Sequence, residues 1–268
     1  MGVTAAISAD SAASTTPPTL RDGQTTPHHE LTVLATVAHE LRGPLTALAT
    51  SSELLAEDFA HLDPEQVKSM LGAMHRRTLW LQGLVENLLA AATIREGRLQ
   101  LHRQSLSMLD VIADVEAVVG PLLEQRGQHM RVRMANNLPD VLADSRRLGQ
   151  VIINLILNAS KFGAPNTPID VTVSIRGGTV RVAVADRGPG VAPDQAQRLF
   201  EPYYRAPSTA GSGKDGVGLG LSIVKSIIEA HTGQVGVESR RGGGARFWFT
   251  LPSVGRGVSP KSHLSIVS

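Results

Sequence analysis

The chain contains no cysteine. Disulfide frameworks, thiolate zinc sites and cysteine nucleophiles are therefore excluded. A reducing, cytoplasmic setting is the expectation. Aromatic residues are scarce at 3%, too few for the stacking platforms that hold single-stranded nucleic acid. A surplus of charge is missing as well. The 26 basic and 24 acidic side chains leave a formal net charge of +2 and no clustered basic stripe, so nucleic acid is not an expected partner. No run approaches the roughly eighteen apolar residues of a membrane-spanning helix. The opening residues also lack the basic-then-apolar order of a secretory signal.

What is present suits a globular protein. The 268 residues are 42% apolar and 19% charged, enough for one large domain or two small ones with their own cores. Residues 1–28, rich in Ser, Thr, Ala and Pro, read as a disordered tail, and 253–268 as another. Two helical patterns follow the first tail. Leu34, Ala38, Leu41, Leu45, Leu48, Ser52, Leu55 and Phe59 alternate spacings of four and three, and so do Val67, Leu71, Met74, Thr78, Leu81, Val85, Leu88 and Ala92. These are bundle seams. Asp63, Pro64 and Gln66 supply a cap, a first helical residue and a capping box for the second helix. The spacing predicts a helical hairpin over about 30–60 and 64–95. Two helices cover such seams poorly, so pairing into a four-helix bundle is expected.

After Gly97 the pattern changes. Helices are expected over about 106–126, from the Asp144 cap through Ala159, and over about 218–231, with Gly233 as the C′ residue. Strands are expected near 130–134, at 169–175 and 180–184 around a Gly177-Gly178 turn, and at 234–239 and 245–251. This order predicts an α+β protein: a helical hairpin over 29–96, then an α/β sandwich over 97–252.

Three groups of residues point to chemistry. With Ala38 in the seam, His39 and Glu40 fall on the outer face of the first helix, and Pro44 should bend that helix just after His39. An exposed neutral imidazole is a competent nucleophile, and Glu40 can take the proton on its other nitrogen. A solvated surface histidine is the plainer alternative. Asn154 and Asn158 lie four apart on one helix face, with Lys161 close by. Amide oxygens are hard ligands of the kind Mg²⁺ prefers, although surface amides would look the same. Gly216, Gly218, Leu219 and Gly220 run into an amphipathic helix, where free N–H groups favour phosphate. No Gly-Lys-Ser/Thr follows, so this is not a P-loop. Residues 210–216 read as a mobile lid. Asp186 ends a valine strand and begins Asp-Arg-Gly-Pro-Gly, which suits either a pocket or a simple turn.

Taken together these segments resemble the sensor histidine kinases. His39-Glu40-Leu41-Arg42-Gly43-Pro44-Leu45 is similar to their phospho-acceptor box, and Gln150–Lys161 to their Asn box. Asp186–Gly190 resembles the first glycine box, Leu199–Arg205 the Phe box, and Gly216–Leu221 the second glycine box. The five occur in the family's order across residues 30–252. The resemblance implies ATP and Mg²⁺ as cofactors, autophosphorylation of His39, a homodimer, and an aspartate of a response-regulator receiver domain as the next acceptor. It further implies Asn158 as the Mg²⁺ ligand with Asn154 beside it, and Lys161 near the phosphates; the charge of Arg205 would add to that of Lys161 there. Asp186 would accept from the adenine amino group, with Gly188 and Gly190 letting the backbone approach the base.

Two positions depart from the pattern. Gly43 stands where relatives often carry Thr or Asn, which puts dephosphorylation of the partner in doubt. Val217 stands where a small polar residue is frequent. Two rival readings stay open: an ATPase of the gyrase or chaperone kind, which would lack the His39 hairpin, and a phosphotransfer scaffold with a decayed ATP site.

Overall fold

A computed structural model of the chain describes residues 27–206, 217–240 and 242–254, with side chains from residue 35 onward. The predicted lid, residues 210–216, and both predicted tails apart from their inner ends lie outside these residues.

Helices α1 (Pro27–Asp58) and α2 (Pro64–Arg95) form the hairpin, joined by a short 3₁₀ turn at Phe59–His61. The capping box forms as the sequence requires: the Asp63 side chain accepts from the Gln66 N–H at 2.8 Å, and the Gln66 side chain accepts from the Asp63 N–H at 3.0 Å. Helix α1 runs on through Pro44.

The α/β unit follows. It comprises β1 (Gln104–Leu106), α3 (Met108–Glu124), β2 (Met130–Met134), β3 (Val141–Ala143), α4 (Ser145–Phe162), β4 (Ile169–Arg176), β5 (Thr179–Ala185), α5 (Gly220–Ala230), β6 (Gln234–Ser239) and β7 (Ala245–Pro252). Strands β2-β4-β5-β7-β6 make one sheet in that order, antiparallel except for β2 on β4. Strands β1 and β3, which sequence patterning does not reveal, form a separate two-stranded ribbon. Each has three residues, too few for an alternation to register.

Period-two patterning explains the core. Val171 faces Val184, which faces Phe247, and Val173 faces Val182, which faces Phe249. All lie on the side packed by the helices. Helix α4 answers with Leu148, Val151, Ile152, Leu155, Ile156 and Ala159, all buried at helical spacing. Asp144 caps it, accepting from the Arg147 N–H at 3.0 Å.

Two expectations need correction here. Gly233 is not the left-handed residue that ends α5; Thr232 is, with φ of 58°. The N–H of Thr232 bonds the Glu229 carbonyl and the N–H of Gly233 the Ile228 carbonyl, which is the Schellman arrangement. Glycine is needed at 233 because a Cβ there would come within 2.0 Å of the Thr250 carbonyl oxygen. Ser253 and Val254, expected in the C-terminal tail, are bonded into the fold. The N–H of Ser253 bonds Gly178 and that of Val254 bonds Asp140, so both belong to the sheet end.

Candidate functional site

The site is built along the side of α4 that turns away from the core. Its buried residues take one face, so Gln150, Asn154, Asn158 and Lys161 fall together on the opposite, half-buried one. Helix α5 meets this face with its N-terminus. A Cβ added to Gly220 would lie 3.5 Å from Asn154 Oδ1 and 3.9 Å from Asn158 Nδ2. The glycine therefore leaves an open, hydrogen-bonding cradle between two amides and the positive end of a helix. Leu219 and Val217 are buried beneath it. Gly218, with φ of 76°, packs so closely that a Cβ would meet the Tyr203 backbone at 2.8 Å. The Tyr203 N–H bonds the Gly218 carbonyl at 3.0 Å. The second glycine segment and the Phe segment are thus tied together. Gly216 lies outside the described residues.

Asp186 closes the other end. It is 4% exposed and stands where β5 runs out beside the end of α4. A Cβ on Gly163 would be 3.5 Å from that of Asp186, and one on Gly188 would be 2.5 Å from the Phe162 carbonyl oxygen. The Gly188 N–H donates to Asp186 Oδ1 at 2.8 Å and the Ala245 N–H at 3.2 Å. Both bonds fall on Oδ1, so among the described residues Oδ2 is left to accept from a ligand. Burial pushes the Asp186 carboxyl above its ordinary pKa, against the opposing pull of the Gly188 and Ala245 N–H groups and of Arg240. Along α4, Gly163 lies five residues beyond Asn158, so the acid and the amide cradle sit on the order of 8 Å apart along the helix.

Sequence reasoning missed the segment that holds Asp186 in place. Gly242, Gly243 and Gly244 all have positive φ, and a Cβ on Gly244 would come within 2.1 Å of the Asp186 carbonyl oxygen. Gly190 packs against the same residue, its Cβ position 3.3 Å from the Gly244 carbonyl oxygen. The run of three glycines was visible as a hairpin turn, but not its proximity to Asp186.

His39 stands exposed on α1, as expected, whereas Ala38 is exposed and Glu40 is 6% exposed. The expectation of an outward Glu40 is therefore wrong. Val37 packs against the core cluster with Leu84, Leu88 and Ala91. The inward direction of α1 thus runs through residues 37 and 40 at this level, three apart on one face. Lys161 lies over the Phe162 ring at 5.1 Å. Arg205 is exposed. No group of three or more His, Cys, Asp or Glu side chains fit to hold a metal occurs among the described residues, so any metal there would rest on amides, water and phosphate.

Known protein families match the chain over both units. Residues 30–97 match the His Kinase A (phospho-acceptor) domain and residues 143–255 the histidine kinase-, DNA gyrase B- and HSP90-like ATPase family. The chain is 31% identical over 229 residues to an uncharacterized sensor-like histidine kinase of Rhizobium meliloti, covering 85% of this chain and 44% of that one. It is 34% identical over 231 residues to the adaptive-response sensory kinase SasA of Gloeothece citriformis, covering 82% and 57%. Full-length ShkA in complex with AMPPNP superposes with a TM-score of 0.59 at 32% identity, over 84% of this chain and 46% of that one. The histidine kinase ThkA in complex with the response regulator TrrA superposes with a TM-score of 0.56 at 26% identity, over 85% and 64%. The chain belongs to the sensor histidine kinases, as a phospho-acceptor hairpin followed by an ATP-binding unit of the ATPase family. It spans about half the length of the curated relatives it matches.

Proposed function

We propose that this protein is an ATP-dependent protein-histidine kinase that phosphorylates its own His39 and passes the phosphoryl group to an aspartate of a response-regulator receiver domain. One observation carries this reading: the Asn154–Asn158 face, the N-terminus of α5 at Gly220 and the buried Asp186 line one side of α4, and a hairpin bearing an exposed imidazole packs beside them.

In this reading Asp186 Oδ2 accepts from the adenine amino group. Gly188 and Gly190 keep side chains out of the base's path. The α5 N-terminus at Gly220 and Gly218 before it face the phosphates, and Lys161 and Arg205 add positive charge. Asn158, with Asn154 beside it, fits Mg²⁺, because neutral amide oxygens next to an open cradle suit a cation that is also held by phosphate and water. Bound there, the ion would neutralise charge on the phosphates. A His39 ring nitrogen attacks the γ-phosphorus, an N–P bond forms, and the P–O bond to ADP breaks. The proton on the other ring nitrogen passes to solvent, since the adjacent Glu40 is turned inward. Positioning and charge neutralisation supply most of the acceleration. The regulator's aspartate oxygen then displaces the imidazole from phosphorus.

A second copy of the chain is part of this proposal. Leu45, Phe59, Leu71 and Val85, all seam residues, are 52%, 63%, 53% and 46% exposed, which is the face a four-helix bundle would cover. A kinase that draws on ATP and a receiver domain would act in the cytoplasm. Among the described residues no helix is long and apolar enough to cross a membrane.

His39→Gln tests the proposal. The variant is expected to bind ATP with unchanged affinity by calorimetry and to take up no acid-labile label from γ-labelled ATP. Steady release of free phosphate by the wild type without any protein label would favour the ATPase reading.

A further inference from the structure

The two units meet through amides. Asn87 of α2 donates from Nδ2 to Asn154 Oδ1 at 3.1 Å, and Asn154 Nδ2 donates back to Asn87 Oδ1 at 3.2 Å. Gln150 Nε2 donates to the same Asn87 oxygen at 3.2 Å, and its own Oε1 accepts from Arg147 at 3.2 Å. Around this pair α2 is apolar. Leu84, Leu88 and Ala91 pack against the core cluster, and Ala90, 2% exposed, belongs to it. A reciprocal amide pair inside an apolar seam fixes register, because sliding the seam would leave half-buried polar atoms without partners.

The position of the pair matters. His39 lies 19 residues before the end of α1 and Asn87 lies 23 residues after the start of α2. In an antiparallel hairpin the two are therefore nearly level, within about 6 Å along the axis. Asn154 is also the residue whose Oδ1 faces the Gly220 cradle. Each atom of its amide keeps one further hydrogen-bonding valence after Asn87 is served. Asn87 thus orients Asn154 without filling it.

We infer that Asn87 is a positioning residue for autophosphorylation: by pairing with Asn154 and Gln150 it docks the ATP-binding unit on α2 at the height of His39 and fixes the amide that faces the phosphate cradle. This rests on the reading of Asn154 as part of the ATP site. Its effect falls on the transfer step more than on nucleotide binding, since Asp186 and most of the cradle lie on the ATP-binding unit alone.

The test compares wild-type protein, Asn87→Leu and Asn87→Gln. Leu keeps the volume and removes both hydrogen-bonding functions; Gln keeps both on a longer arm. Autophosphorylation of Asn87→Leu is expected to slow by about tenfold or more, since small misplacements of reacting groups have effects of this order. The affinity for an ATP analogue should stay within about twofold, and Asn87→Gln should recover part of the rate. Without nucleotide, amide hydrogen exchange across residues 84–91 should speed up in Asn87→Leu. A wild-type rate in Asn87→Leu overturns the inference. So does unchanged exchange, or a fall in affinity as large as the fall in rate. If the wild-type protein binds the analogue but never labels, the proposed function has failed, while the exchange measurement still judges the docking contact.

Discussion

Helices α1 and α2 carry apolar seams as regular as that of α4, yet the two regions bury them differently. On α4, Leu155 is 1% exposed and Leu148, Val151 and Ile156 are fully covered. On the hairpin, Leu45 and Leu71 are more than half exposed, and Ala90 is the one buried apolar side chain described, covered where the α/β unit docks. A helix laid on a sheet finds a partner surface within its own chain. A two-helix hairpin does not, because each seam is wider than one neighbour can cover. The α/β unit buries its seam as one copy, whereas the hairpin leaves most of its seam exposed, as half of the bundle proposed above would.

Substitutions sharpen this contrast. Leu155→Ala is expected to cost about 2–5 kcal/mol of unfolding free energy through the cavity it leaves. Leu71→Ala should cost far less in dilute protein, its effect appearing instead as weaker self-association in sedimentation. Equal losses for the two in urea unfolding at low concentration would break the comparison. At the site, Asp186→Asn should leave the fold intact and reduce ATP affinity by roughly 1.5–3 kcal/mol, the contribution of a hydrogen bond to a charged group; titration calorimetry reads it directly.

A smaller effect comes from His231, buried at 2% exposure. Its Nε2 accepts from the Asp144 N–H at 3.0 Å, and its Nδ1 faces the Ile227 carbonyl at 2.8 Å. Burial holds its pKa below the ordinary value, with Arg103 pushing the same way and the Ile227 carbonyl and Asp144 opposing. The unfolded chain takes up a proton near pH 6.5 while the folded one does not. Its contribution to stability is therefore complete above about pH 6.5. It is lost by about 1.4 kcal/mol per pH unit as the pH falls toward the lowered folded value. His231→Gln should flatten that slope in thermal melts of the α/β unit, while leaving that of the hairpin unchanged. The smallest change is expected at Gly43, whose missing Cβ has nothing within 4 Å. Gly43→Ala should stabilise α1 by about 1 kcal/mol from helix propensity alone, and circular dichroism melts would show it.

Much of this was legible beforehand. The capping box at Asp63–Gln66, the Asp144 cap, the Gly177-Gly178 turn with both φ values positive and the Asn154–Asn158 face all follow from local rules. They depend on residues within one or two turns of each other. The errors arose where distant segments meet. Glu40 is 6% exposed on the side of α1 where Val37 packs against the core cluster, a tertiary contact absent from its own heptad. Gly233 was assigned to a helix end when a strand 17 residues away forbids its side chain.

The sequence by itself therefore determined the long helices and the strands of the five-stranded sheet, their order, the exposed histidine and the amides and glycines that line α4, because periodicity, capping and backbone freedom are local properties of the chain. Only the tertiary structure decided that Gly244 buttresses Asp186, that both hydrogen bonds to this acid fall on one oxygen, and that Asn87 joins the hairpin to Asn154. Those facts depend on contacts between segments tens of residues apart, which close packing selects and no local pattern encodes.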